Sequence, residues 1–391
     1  LNASILNTDV QDYINTNLKQ DISRLLLKGI SFSGVETKAI IEQIEAKKRS
    51  EKKLPTWYNT QGIYFPNKLN IAQTSSEKTA AYKSNLVKGD SLIDLTGGFG
   101  IDSYYFSRSI NNVTHCEINP NLSEIVTHNF NVLNIKNIIC INENGIDALK
   151  RIDKPFDWIY VDPSRRDVVK NKVFLLSDCT PNVITFQNLF LKYSKNVMIK
   201  TSPLLDITAT LHQLEHVKTI HIVAINNEVK ELLWVLERGY KDAVEVKTVN
   251  LQKGNAQIFD FKYEDESDAN VSYNSPLDYL YEPNASVLKA GAFNSICSLN
   301  VYKLHKHSHL YTSKELIDFP GRRFLIKKIL PFNKRVFSKE KITKANVTMR
   351  NFPISVGDIR KKLKIKDGGN IYLFFTTCTD EERVILVCHK A

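Results

Sequence analysis

Residues 91–102 read SLIDLTGGFGID: a short apolar run interrupted by one acid, Asp94, and then three glycines within four positions, Gly97, Gly98 and Gly100. Glycine permits positive φ and close approach of another group to the backbone, but it weakens any regular element that contains it. The cluster is therefore either a sharp strand-to-helix turn or the bed of a ligand, and the flanking sequence has to decide.

From Leu92 onward, short β-rich runs alternate with helical stretches. The runs are SLIDL, VTHCEI, IICIN, DWIYVD, NVMIKT and TIHIVAI; between them lie GIDSYYFSRSI, NLSEIVTHNFNVLN, GIDALKRI and CTPNVITFQNLFLKY. Such alternation argues for an α/β fold with a parallel, doubly wound sheet. After the sixth run, INNEV leads straight into KELLWVLERG without room for a crossover helix, so the seventh strand runs antiparallel to its neighbour. Upstream, residues 9–53 carry apolar side chains at three- and four-residue spacing, punctuated by Gly29 and Gly34, and read as helix. Downstream, a strand-rich connector ends in polar YEDESDANVSYNSP. A separate α/β segment then restarts through ASVLKAGAFNSICSLN, RRFLIKKIL, VGDIRKKLKI, GNIYLFFTT and RVILVCH.

At 391 residues the chain exceeds one ordinary core, which predicts two or three domains. No apolar run is long enough to span a bilayer. Six widely spaced cysteines without a CxxC pair fit a reduced, cytoplasmic protein with free thiols. The net charge of +11 is unevenly placed: residues 301–366 hold 18 Lys and Arg against 4 Asp and Glu, a balance of +14, which leaves −3 for the rest. Basic charge concentrated in this way points to a polyanionic partner.

A doubly wound sheet binds ligands at the carboxyl ends of its strands, and the first strand-to-helix turn is the usual floor. Gly98-Phe99-Gly100 is followed by Ile101, Asp102 and Ser103, so the third glycine of a dinucleotide fingerprint is missing. Acids at Asp94 and Asp102 repel a pyrophosphate but suit a ligand carrying an ammonium group. Glu117 ends the second run, where a carboxylate accepts hydrogen bonds from ribose hydroxyls. Asp147 follows the third run, and Asp162-Pro163 ends the fourth. Taken singly, each acid reads as a helix cap or a solvated loop residue; four at successive strand ends read as a nucleoside site.

These features resemble the class I S-adenosylmethionine-dependent methyltransferases. The strings LPTW, QTSSEKTAAYK, DLTGGFGID, VDPSRR, NNEVKELL, YEPNASVLKAG and IRKKLKIKDGG further resemble a bacterial family of methyltransferases with ferredoxin-like and THUMP-like C-terminal domains. The resemblance implies a helical region over 1–69, a seven-stranded Rossmann-like methyltransferase domain over 70–245 and a connector over 246–275. A ferredoxin-like domain over 276–318 and a THUMP-like domain over 319–391 would follow. It implies S-adenosyl-L-methionine as cofactor: Asp94, Thr96, Gly97, Gly98, Gly100 and Asp102 around its methionine half, Glu117 at the ribose and Asp147 at the adenine. Ser75 and Glu77, in QTSSE, would cover the amino acid end; the alternative is that Thr74 or Ser75 caps the next helix.

The acceptor is harder to read. Methyltransferases that act on exocyclic amines use Asp/Asn-Pro-Pro followed by an aromatic to hold the amine and stack on the base. Here Asp162 and Pro163 match, but Ser164 and Arg165 do not; Arg165 offers a guanidinium for stacking or for clamping a phosphate. Covalent C5 methylation needs a cysteine nucleophile. None stands at these strand ends, and Cys179 reads as a core residue on a helix. His305, His307 and His309 in HKHSH read as one polar strand face rather than as a metal site. In FPGRRFLIKKILPFNKRVFSKEKITKAN (319–346), alternation predicts a strand with one apolar and one basic face, and IRKKLKIKDGG a short amphipathic helix. Arg322, Arg323, Lys327, Lys328, Arg360, Lys361 and Lys362, with Arg166 near the cleft, are the expected contacts to RNA, tRNA or rRNA. The expected activity is RNA methylation, with a base nitrogen as a candidate acceptor. Beside it stand a non-catalytic RNA-binding protein on the same scaffold and a methyltransferase of proteins or small molecules. Neither a membrane nor a metal is expected as partner.

Overall fold

The computed structural model describes residues 1–165 and 176–391. They divide into two compact units, 1–218 with 233–241, and 219–232 with 242–391.

The first unit opens with helices Thr8–Thr16, Ile22–Lys28 and α1 (Thr37–Lys53). Their apolar faces close on Ile5, Val10, Ile14, Leu25, Ile40 and Ile44. Gly29 and Gly34 interrupt them with φ of 74° and 75°. Helix α2 (Glu77–Ser84) then leads into β1 (Gly89–Asp94), followed by β2 (Ile110–Cys116), β3 (Ile138–Ile141), β4 (Phe156–Val161) and β5 (Ser194–Thr201). All five strands pair in parallel in the order β5-β4-β1-β2-β3. The chain steps outward from β1 to β3 and returns to β4 on the other side of β1, which makes the β1/β4 ends the switch point. Helices α3 (Ile101–Phe106), α4 (Pro120–Val132), α5 (Gly145–Ile152) and α6 (Val183–Tyr193) connect the strands. Asn119, Asn144 and Asn182 cap α4, α5 and α6, each accepting a first-turn N–H, a contribution of about 1 kcal/mol apiece.

Cys179 does not begin a helix. Cys179–Thr180 pairs antiparallel with Ser164–Arg165 in a two-residue ribbon, because Pro181 disfavours helical geometry at the residue before it. Strands β6 (Val217–Ile225) and β7 (Glu228–Glu237) meet through Asn226-Asn227, with φ of 49° and 66°. Positive φ at both positions is the signature of a tight hairpin turn. Arg238 N–H donates to the Lys195 carbonyl at 2.8 Å, and the Trp234 indole N–H to Thr201 Oγ1 at 3.0 Å. The start of β5 thus meets the end of β7, and the antiparallel last strand expected from the missing crossover helix is present.

In the second unit, β8 (Glu245–Leu251) runs parallel to β6 and antiparallel to β9 (Gln257–Lys262). A seven-stranded sheet follows, built from β10 (Tyr279–Pro283), β11 (Tyr302–Lys303), β12 (Tyr311–Ser313), β13 (Gly321–Pro331), β14 (Asn346–Arg350), β15 (Tyr372–Thr377) and β16 (Arg383–Lys390). Its order is β11-β12-β10-β13-β16-β15-β14. Leu280, Leu310, Phe324, Phe374 and Leu386 pack on one face; Phe337, Ile359, Leu363, Phe375 and Ile385 pack on the other. Helix α7 (Val356–Leu363), amphipathic as expected, covers that second face.

Two expectations fail here. The register of β13 shifts between Ile326 and Lys328, so its alternation breaks and Ile329 is left 48% exposed. The basic and apolar residues of this strand do not form two clean faces. His305, His307 and His309 lie in the turn after β11, not on a strand. His305 Nδ1 accepts the His307 N–H at 3.1 Å, which curls the segment, while His309 stacks on Phe293 at 3.8 Å. Among the described residues no helix is long and apolar enough to cross a membrane.

Candidate active site

The three glycines have three different reasons. A Cβ at Gly97 would fall 2.1 Å from the His115 ring, whereas Gly98 and Gly100 take positive φ of 56° and 78°. Gly100 also faces Phe130 and Val126 of α4, and only at Gly98 is the nearest neighbour, the Thr96 carbonyl, as far as 3.8 Å. Two glycines therefore serve close packing within the protein, and Gly98 leaves room for something else to approach the chain.

The turn is tied to three strand ends. Thr96 N–H donates to Asp94 Oδ1 at 3.0 Å, and Gly97 N–H to the Cys116 carbonyl at 2.8 Å. Gly98 N–H donates to Glu117 Oε2 at 3.0 Å, and Asn119 N–H to Glu117 Oε1 at 2.7 Å. At β4, Asp162 N–H donates to Thr96 Oγ1 at 2.6 Å. Asp94, Thr96, Gly97, Gly98, Glu117 and Asp162 thus form one connected group. Asp147 is exposed in the first turn of α5, and Gly145 of the same helix packs directly on the Leu95 carbonyl.

Burial divides the acids by role. Asp94 is 1% exposed and receives Ser103 Oγ at 2.7 Å; Ser103 Oγ also lies 3.0 Å from His115 Nδ1. Burial pushes Asp94 up to about 7 against the pull of these hydrogen bonds, and burial holds His115 down to about 4. Glu117 is half-buried, and burial raises its carboxyl above the usual range. Asp102 is enclosed by protein: Ser75 Oγ and Tyr160 OH each donate to Oδ2 at 2.8 Å, and Lys83 Nζ lies 3.2 Å from Oδ1. Burial alone would raise Asp102, but Lys83, Lys200 and these hydrogen bonds together hold it below its ordinary value.

Sequence reasoning missed Lys83 and Lys200. Lys83 is fully buried and makes Asp102 the acid of an internal ion pair. Lys200, at the end of β5, pairs with Asp162 Oδ2. Lysines at the ends of elements are common, so neither gives a signal without the fold.

Glu77 is also committed to the protein: Thr56 N–H, Thr56 Oγ1 and Tyr105 OH donate to it at 2.6, 2.8 and 2.9 Å. Ser76, rather than Thr74 or Ser75, caps α2 by accepting the Thr79 N–H. Pro163 is half-buried and Ser164 exposed beside the ribbon that Arg165 forms with Cys179. Arg166 lies outside the described residues.

Most of the predicted RNA contacts already have partners. Arg322 pairs with buried Glu282, which Arg350 also holds at 2.9 Å. Arg323 lies 3.2 Å from Asp318 and Lys328 2.6 Å from Glu340, while Arg360 pairs with Asp367. Lys362 stands over the Phe332 ring at 4.8 Å. Lys327 and Lys361 are exposed.

The fold is a methyltransferase-type sheet followed along the chain by a second α/β unit, and comparison with known proteins agrees. Residues 279–320 match a family described as a ferredoxin-like domain, and residues 321–390 one described as THUMP domain-like. The crystal structure of a "putative methyltransferase" from Porphyromonas gingivalis W83 is 32% identical, with a TM-score of 0.88 over 99% of this chain and 98% of that one. The chain belongs to the same methyltransferase family. An uncharacterized RNA methyltransferase of Mycoplasma mobile is 26% identical over 181 residues, 44% of this chain and 50% of the relative. The chain thus spans about half the length of that curated relative.

Proposed function

We propose that the protein transfers a methyl group from S-adenosyl-L-methionine to RNA, of the tRNA or rRNA class. The observation that carries this reading is the link from Gly98 N–H to Glu117 across the ends of β1 and β2, beside the open approach at Gly98. A half-buried carboxylate already oriented by two main-chain donors keeps lone pairs for a vicinal diol. The residues therefore fit a nucleoside, with Glu117 at the ribose, Asp147 at the base and the Thr96–Gly100 backbone at the amino acid end. Asp94 would act by holding that backbone, since both of its oxygens are engaged.

The cofactor supplies a methyl group on a positively charged sulfur. Asp162 orients the acceptor and receives a hydrogen bond or a proton from it, and Lys200 fixes the position of that carboxylate. RNA as acceptor is supported by the THUMP-like match, the named RNA methyltransferase relative and the +14 balance of residues 301–366.

Calorimetry with S-adenosylmethionine and its demethylated product tests the cofactor. The wild type should bind and gain thermal stability, and Glu117→Ala should bind at least about tenfold more weakly, for want of a charged acceptor. Asp162→Ala should abolish transfer to RNA with cofactor affinity within about threefold, a loss confined to the acceptor step. Equal affinity of Glu117→Ala and wild type would remove Glu117 from the site. Unchanged nucleoside mass spectra of total RNA from a deletion strain would count against RNA as acceptor.

A further inference from the structure

The ion pairs of the second unit relocate its binding surface. β13, where the sequence pattern places the basic face, has three of its four cations held by Glu282, Asp318 and Glu340. Further positive charge stands exposed in the layer that covers the sheet. Lys334, Arg335, Lys339, Lys341 and Lys344 lie in the segment after β13, and all are exposed. Lys361, Lys362, Lys364 and Lys366, at the end of α7 and just beyond it, are exposed as well.

The backbone brings the two segments together. Lys366 N–H donates to the Thr343 carbonyl at 2.9 Å, and Ala345 N–H to the Lys366 carbonyl at 3.0 Å, so that Lys344 and Lys366 form a parallel bridge. Both segments bury their apolar side chains in the same core: Phe337 and Ile342 from one, Ile359, Leu363 and Ile365 from the other. With those side chains turned to the sheet, the lysines are left on the outer side. The acids over residues 334–367 are Glu340, which already holds Lys328, Asp358, and Asp367, which pairs with Arg360 and which Arg360 and Lys344 hold below its ordinary value.

We propose that this outer layer, rather than β13, is the surface that grips the phosphate backbone of the RNA; the assignment rests on RNA being the acceptor. Clustered cations of this kind bind polyanions by releasing condensed counterions. An acidic membrane is the less suitable partner. None of the large hydrophobic side chains exposed among the described residues belongs to residues 332–371, so the layer offers nothing to insert among acyl chains.

The experiment is a filter-binding titration of the full chain with total tRNA at several salt concentrations. The test variant carries Lys339→Ala, Lys341→Ala, Lys361→Ala and Lys364→Ala together. A control removes the same charge elsewhere through Lys19→Ala, Lys38→Ala, Lys48→Ala and Lys52→Ala, all exposed positions. A third variant replaces the four layer lysines by arginine, and thermal midpoints of all three report folding. The layer variant should lose at least about tenfold in affinity, and its log–log salt slope should fall by about 2.8–3.6, at about 0.7–0.9 for each of the four lost phosphate contacts. The control and the arginine variant should stay within about threefold of wild type. A layer variant that folds and binds like wild type, or a control equally impaired, overturns the surface while leaving RNA as acceptor. A wild type that binds acidic phosphatidylserine vesicles but not tRNA overturns both.

Discussion

Charge is arranged in opposite ways in the two units. Beneath the glycine turn, Asp94, Asp102 and Lys83 are buried and held by named partners. Over the sheet of the second unit, lysines from two segments stand exposed with few acids among them. The first arrangement fixes a backbone and the second leaves charge available, so a charged residue in this chain reports function only once its partner is known.

The largest test of that contrast is Lys83→Met. It strands Asp102 without its cation in a buried site, which should cost about 3–5 kcal/mol of stability. The double variant Lys83→Met with Asp102→Leu should recover most of that loss. Urea denaturation measures both; a single variant within about 1 kcal/mol of wild type would mean that the pair is not the joint described here.

A subtler effect comes from pH. Asp94, near 3.8 when unfolded and about 7 in the fold, takes up a proton on folding, so its contribution declines as pH rises from about 4 to about 7. His115, near 6.5 unfolded and about 4 folded, stays neutral, so its contribution declines as pH falls from about 6.5 to about 4. The two slopes oppose each other. Asp94→Asn should therefore make stability rise more steeply with pH across that window, by up to about 1.4 kcal/mol per pH unit. Parallel pH–stability curves for variant and wild type would deny Asp94 this role.

The smallest effect is expected at Arg323. Its partner Asp318 is fully exposed, and Arg323→Ala should change stability by no more than about 0.5 kcal/mol. A larger loss in the same denaturation assay would blur the distinction between the buried and exposed pairs.

What the sequence revealed follows the same division. The strand ends of β1, β2 and β4 were legible because the two-residue period and the glycine turn fix where Asp94, Glu117 and Asp162 stand. The antiparallel β7 was legible from chain length alone, since Asn226-Asn227 leaves no crossover. Contacts between distant segments were not legible. Lys83 reaches Asp102, and Lys200 reaches Asp162, only after the sheet is assembled. Glu282 claims Arg322 from forty residues away. Local chemistry misled in three places: the bulge in β13 broke an apparent alternation, Pro181 kept Cys179 out of α6, and His305 folded its own neighbours into a turn.

The sheet of the second unit also bears on how this part of the chain can be inherited. The ferredoxin-like match ends at residue 320 and the THUMP-like match begins at 321, yet β10 pairs with β13 across that line from Tyr279–Leu325 to Pro283–Gly321. Glu282 on one side holds Arg322 and Arg350 on the other. A gene fragment cut at the boundary would express two raw sheet edges, each a template for aggregation, and would strand a buried carboxylate. Recombination could move the two sequence families only as a single cassette.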